Sequence, residues 1–223
     1  MKKTLALASA AAFALGSAHA ALVDFTDGTW QDGVGQVVDG VTVTVTGVPQ
    51  AIVNGDSVSG SFCAPNGVFA CAVDGVGVGN SDEVTGDTQS VLVTFSAPVR
   101  VTATYYLDLF KDKFVSPLDE TESALVDFTL FGAGAGTDAE TFAVDKKGNG
   151  AGYAEELFPT GVLVTAALFT PGVGEDDGTP DFALAGLRIR TNNVDNPVPV
   201  PGALPLFAAG LAGLGMARRK RKA

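Results

Sequence analysis

Val41-Thr42-Val43-Thr44-Val45-Thr46 alternates apolar and polar β-branched residues without a lapse, the two-residue period of a strand with one face buried and the other wet. Val91-Leu92-Val93-Thr94-Phe95 and Val99-Arg100-Val101-Thr102-Ala103-Thr104-Tyr105-Tyr106 repeat the pattern with small lapses. Further strand candidates are Leu125 to Phe131, Thr141 to Val144, Gly161 to Phe169 and Phe182 to Arg190. Asp39-Gly40, Asp74-Gly75 and Lys147-Gly148-Asn149-Gly150 supply turn residues that tolerate positive φ. Short strands spaced by such turns predict an all-β body, an antiparallel β-sandwich of jelly-roll type. Only Leu107 to Val115 reads as either a short helix or a loop.

Outside those strands the chain is turn-rich and acidic. Its 223 residues include 28 Gly and 11 Pro, and 25 acids face 14 bases for a net charge of −11. Two of the bases lie at the start and five at the end, so the body between carries seven bases against the same 25 acids, a net −18. A body of that charge repels phosphate backbones, and nucleic acid is excluded as a partner.

The two ends address a membrane. Residues 1–20 have a basic start, an apolar stretch from Leu5 to Gly16 and the small-x-small pattern Ala18-His19-Ala20, the composition of a cleavable secretory signal. Signal peptidase is expected to cut between Ala20 and Ala21. That cut removes His19, the only histidine, and with it every histidine-dependent triad, zinc site or pH switch. At the other end, Ala203 to Ala217 carries no charge, and Arg218, Arg219, Lys220, Arg221 and Lys222 follow. Fifteen helical residues span only about 22 Å of a hydrocarbon core of about 30 Å, so this is a minimal transmembrane helix with a basic stop-transfer cluster. Residues 192–197 form a polar linker ending in Pro197. The expected organisation is therefore a signal peptide, a β-sandwich over 21–191, that linker, and a sorting segment over 198–223.

Val198-Pro199-Val200-Pro201-Gly202, then the Gly-rich apolar helix, then the basic cluster, resembles the PEP-CTERM class of bacterial sorting signals in its VPLPA-type form. Val200 stands where Leu or Glu is usual and Gly202 where Ala is usual. The resemblance implies recognition of the Pro motif by an exosortase, a membrane-embedded cysteine peptidase. That enzyme cuts near the motif and passes the protein to the outer surface, often alongside exopolysaccharide and biofilm production. Asp74-Gly75-Val76-Gly77-Val78-Gly79-Asn80-Ser81-Asp82-Glu83 and the run Asp181 to Arg190 are similar to segments of β-sandwich bodies in that class. The expectation is a secreted or cell-surface, non-enzymatic protein that contacts the membrane before processing and polysaccharide afterwards. A glycan-binding or glycan-cleaving module and a permanently anchored surface protein are the alternatives.

Within the body, Cys63 and Cys71 are the only cysteines. An exported chain and a separation of eight residues predict one local disulfide. Gly at every second position from Gly75 to Gly79 leaves one face of that stretch without side chains, and no helix follows to make it a phosphate cradle. Adjacent acids such as Asp82-Glu83, Asp119-Glu120 and Glu155-Glu156 read as solvated pairs in place of a catalytic dyad. No cofactor is required, and calcium is the one ion suggested. Its candidate ligands are Asp24 with Asp27, and Asp176 with Asp177 near Asp181, though none has EF-hand spacing. Trp30, Tyr105, Tyr106 and Tyr153 would stack on sugars if exposed.

Overall fold

The structure, a computed structural model, describes residues 20–56, 63, 67–80, 82–86, 88–111, 122–132, 138–142, 144–145, 152–172 and 181–191. Ala18 and most of the predicted signal peptide, the predicted turn at Lys147 to Gly150, Asp176 and Asp177 lie outside the described residues. So do the linker, the Pro motif, the apolar segment and the basic cluster, which belong to a second unit, Asn192–Ala223, divided from the body after Thr191.

Among the described residues there are thirteen strands and no helix. They are β1 (Ala20–Asp24), β2 (Gly35–Val38), β3 (Val41–Val48), β4 (Ile52–Asn54), β5 (Val76–Val78), β6 (Val84–Thr85), β7 (Ser90–Leu107), β8 (Phe110–Lys111), β9 (Ser123–Leu130), β10 (Asp138–Phe142), β11 (Val144–Asp145), β12 (Ala154–Pro171) and β13 (Asp181–Thr191). All pair antiparallel except β8 with β11. The sheet is curled, and its spine runs β10-β9-β12-β7-β13-β5-β4.

The alternation that decides the fold is visible in the burial. Val41, Val43 and Val45 are buried and the threonines between them are half-buried. Val38 and Val41 face each other across Asp39 and Gly40, whose φ values of 49° and 80° make the two-residue turn that joins β2 to β3. The runs at 91–95 and 99–106 are one continuous strand, β7, passing through Ser96, Ala97 and Pro98. Pro98 is compatible with it because the register to β12 jumps there: Val164 faces Val99 and Ala166 faces Thr94, so no ladder bond is required of the proline nitrogen. Leu107 closes β7, Asp108 takes φ 56° and β8 follows. The helical reading therefore fails over Leu107–Lys111, and 112–115 lie outside the described residues.

Two bulges decide which face of the sheet each side chain meets. On β7, Val101 and Ala103 face Ile189 and Arg188, successive residues of β13, which leaves Thr102 as an extra residue. One extra residue inverts the alternation. Val91, Val93, Phe95, Val99 and Val101 enter the main core, but beyond Thr102 the even-numbered Tyr106 enters it while Ala103, Tyr105 and Leu107 turn to the other face. On β13, Leu184 faces Tyr106 and Gly186 faces Tyr105, so Ala185 is the extra residue. Phe182 and Leu184 switch accordingly to Leu187 and Ile189 in the main core. The other face carries a smaller core of Ala103, Tyr105, Leu107, Tyr153, Ala183 and Ala185, roofed by Cys63, Phe69 and Cys71.

Candidate functional site

Cys63 and Cys71 form the expected disulfide, with Cα atoms 5.7 Å apart. The bridge is a roof for the outer face of β7 and β13. Phe69 meets the Tyr105 ring edge-on at 5.1 Å, and Gly186 lies beneath the Phe69 ring, where a Cβ would approach Cε1 to 2.6 Å. Asp24 fastens this roof to β1. Its Oδ1 accepts from the Thr26 amide and hydroxyl, its Oδ2 accepts from the Ala70 amide at 2.7 Å, and Thr26 Oγ1 accepts from the Cys71 amide. Asp27 closes a similar turn, accepting from the amide and hydroxyl of Thr29. Asp24 faces Gly186, five residues along β13 from Asp181, and Asp176 and Asp177, the other calcium candidates, lie outside the described residues. The four aromatic residues are buried. Trp30 donates its indole N–H to the Asp24 carbonyl at 2.6 Å, and Tyr106 is wholly enclosed. None presents a sugar-stacking face.

The structure does gather carboxylates elsewhere. β13 begins beside the end of β7, with Ala183 facing Leu107, and its first residues also pair with β6 and β5. Asp181 at the head of β13, Asp108 just past β7, Asp74 just before β5 and the turn Asp82-Glu83 between β5 and β6 therefore meet at one end of the sheet. Asp56, after β4, completes the group: Asp74 donates its amide to the Asp56 carbonyl, and Gly55 donates its own to the Gly75 carbonyl.

The alternating glycines make this convergence sterically possible. A Cβ on Gly77 would overlap the Asp82 carbonyl and Glu83 nitrogen, and one on Gly75, at φ 141°, would meet the Leu184 carbonyl. The face without side chains is the seat on which the acidic turn and β13 rest. Val78 donates to the Glu83 carbonyl to close that turn.

Crowding like charges in a half-dry site raises carboxyl pKa values, because burial and neighbouring negative charge both disfavour ionisation. Burial, reinforced by Asp108 and Asp82, pushes Asp74 up to about 8. Burial, then Asp181, Asp108 and Asp82, pushes Glu83 up to about 8. Asp108 rises to about 6, chiefly by burial, while its hydrogen bond with Asp74 pulls the other way. Asp74 faces Asp108 and Glu83 faces Asp181, each pair close enough for one carboxyl to hydrogen-bond the other. Beside them opens a cavity of about 340 Å³ lined by Val53, Asn54, Asp56, Gly79, Asn80 and Asp82.

Of this group the sequence reading had singled out Asp82-Glu83 as an acid pair and Asp181 as an oxygen donor. Asp74 stands out in the sequence only as a turn residue ahead of the alternating glycines, and Asp56 and Asp108 carry no local motif; strand pairing brings the three together. No family model, curated protein or solved structure matches the chain.

Proposed function

We propose that this is an exported, non-enzymatic protein of the cell surface or extracellular matrix, delivered by a PEP-CTERM-like C-terminal signal and associated with exopolysaccharide or biofilm. The observation that carries the reading is the order of the tail: the Pro motif Val198 to Gly202, the uncharged Ala203 to Ala217, then five bases in Arg218 to Lys222. A halted segment of that kind leaves its bases inside and the body outside. An all-β body with a disulfide suits an oxidising exterior. Ala20 and Arg190 face each other across β1 and β13, so the body joins both of its terminal segments at the same end of the sheet. A cut after Ala20 still leaves Ala21 paired with Ile189. The body is a jelly-roll-like sandwich in this reading: β7 leaves β3 after Phe95 and takes up β13 from Val99, while β12 stays paired with β7 and adds β9 from Val164.

In a host with an exosortase-like peptidase, the native chain should appear in the surface-released fraction. The Pro199→Ala/Pro201→Ala variant should stay with the membrane. Equal release of both, or release in a host lacking the peptidase, overturns the reading.

A further inference from the structure

We propose that the carboxylate end of the sheet, with Asn54 and the cavity beside it, is a calcium site. Six acids converge there from separate parts of the chain: Asp56, Asp74, Asp82, Glu83, Asp108 and Asp181. Charge alone would make them only a solvated patch. Two oxygens set this place apart. Asp74 is 7% exposed and its Oδ1 is buried with no hydrogen-bond partner, and the Oδ1 of Asn54 is also buried without one. Asp74 Oδ1 lies against Gly55, where a Cβ would overlap it, and the chain neighbours of Gly55, Asn54 and Asp56, line the cavity. Asn54 spends its amide N–H groups on the carbonyls of Gly28 and Trp30, which turns its oxygen away from those partners. Buried acceptors without donors are costly, and a bound cation would offset that cost.

The donor set selects the ion. All of these groups are hard oxygens, the only histidine is His19 in the predicted signal, and both cysteines are in the disulfide. That excludes the nitrogen and sulfur ligation preferred by zinc and copper. Several carboxylates on turns suit the irregular six- to eight-oxygen shell of calcium better than the strict, hydrated octahedron of magnesium. Among the described residues no three Asp, Glu, Cys or His side chains already stand grouped to hold a metal ion. The carboxyls pair through protons instead, and calcium would take the place of those protons and draw the side chains inward. A site that closes in this way falls in the weak class typical of extracellular modules, with Kd on the order of 10⁻⁴ to 10⁻³ M. The inference goes beyond the sorting reading and stands whether or not the tail is processed.

The test uses the full chain in mild detergent, stripped with chelator and titrated with CaCl₂ or MgCl₂ by calorimetry and thermal melting. One saturable calcium per chain is expected, with magnesium roughly tenfold weaker or more. Asp108→Asn keeps a residue that tolerates the positive φ at that position, so it should fold, melt no lower than the native chain without calcium, and lose most of the calcium-induced rise in Tm. Glu83→Gln should behave alike, and Asp24→Asn should leave calcium affinity unchanged. The proposal is overturned by the absence of saturable binding at several millimolar calcium. Native-like affinity in both Asp108→Asn and Glu83→Gln, or equal response to magnesium, overturns it as well.

Discussion

Gly186 carries a constraint that only tertiary structure reveals. A Cβ there would approach both the Phe69 ring and the Val23 carbonyl to 2.6 Å, and both neighbours are held, one under the disulfide roof and one in β1. Gly186→Ala should cost about 1–3 kcal/mol by overpacking, read as a lower midpoint in urea unfolding. Tyr106 poses the opposite case. Its hydroxyl lies with those of Thr104 and Thr141, yet none of the three makes a well-formed hydrogen bond. Because removing an unsatisfied buried polar group relieves a cost, Tyr106→Phe should leave stability unchanged or slightly raised in the same assay. The carboxyls of Asp74, Glu83 and Asp108 have folded pKa values raised above the usual range near 4. The folded chain therefore holds protons that the unfolded chain releases. Their contribution to stability is complete below about pH 4 and is lost as pH rises through about 6 to 8. In chelator, thermal melts from pH 5 to pH 9 should show Tm falling by several degrees across that window. A flat or rising profile would show that these acids are not crowded in the way described.

The strands were legible where one face is buried and the other wet. Val41 to Thr46 advertises β3 because each threonine stands between two buried valines. Pro98 read as a break between strands, since no local signal announces that β12 shifts register opposite it. The first half of β12 was missed for a related reason: Glu155, Glu156, Pro159 and Thr160 do not alternate. Glu155 and Glu156 pair in register with Tyr105 and Thr104, but the ladder is irregular between Leu157 and Val162, where the Arg100 guanidinium donates to the carbonyls of Thr160 and Gly161. The disulfide was predicted from spacing and compartment, but its position over Tyr105 was not, because the bulge at Thr102 decides which face Tyr105 takes. Replacing both cysteines by serine should cost about 2–3 kcal/mol by loop-closure entropy. It should also expose the Tyr105 ring, seen as increased tyrosine quenching by acrylamide. Unchanged quenching would mean that the roof does not depend on the bridge.

The body keeps its terminal junctions and its carboxylate end apart. Both chain segments leave near the Ala20–Arg190 pair, whereas Asp181 opens β13 at its other end, and an eleven-residue strand reaches about 33 Å. Ion binding at one end therefore need not disturb processing at the other. The acids were readable one by one, but not as a site. They span positions 56 to 181, and only the pairing of β13 with β5, β6 and β7 and of β4 with β5 joins them. The proposed sorting tail rests on linear order alone, with no partner strand needed to complete it. Intact-mass analysis of the chain recovered from the surface-released fraction tests it most directly. The account predicts a product that begins at Ala21 and ends upstream of Arg218. A released product that still carries Arg218 to Ala223 contradicts it.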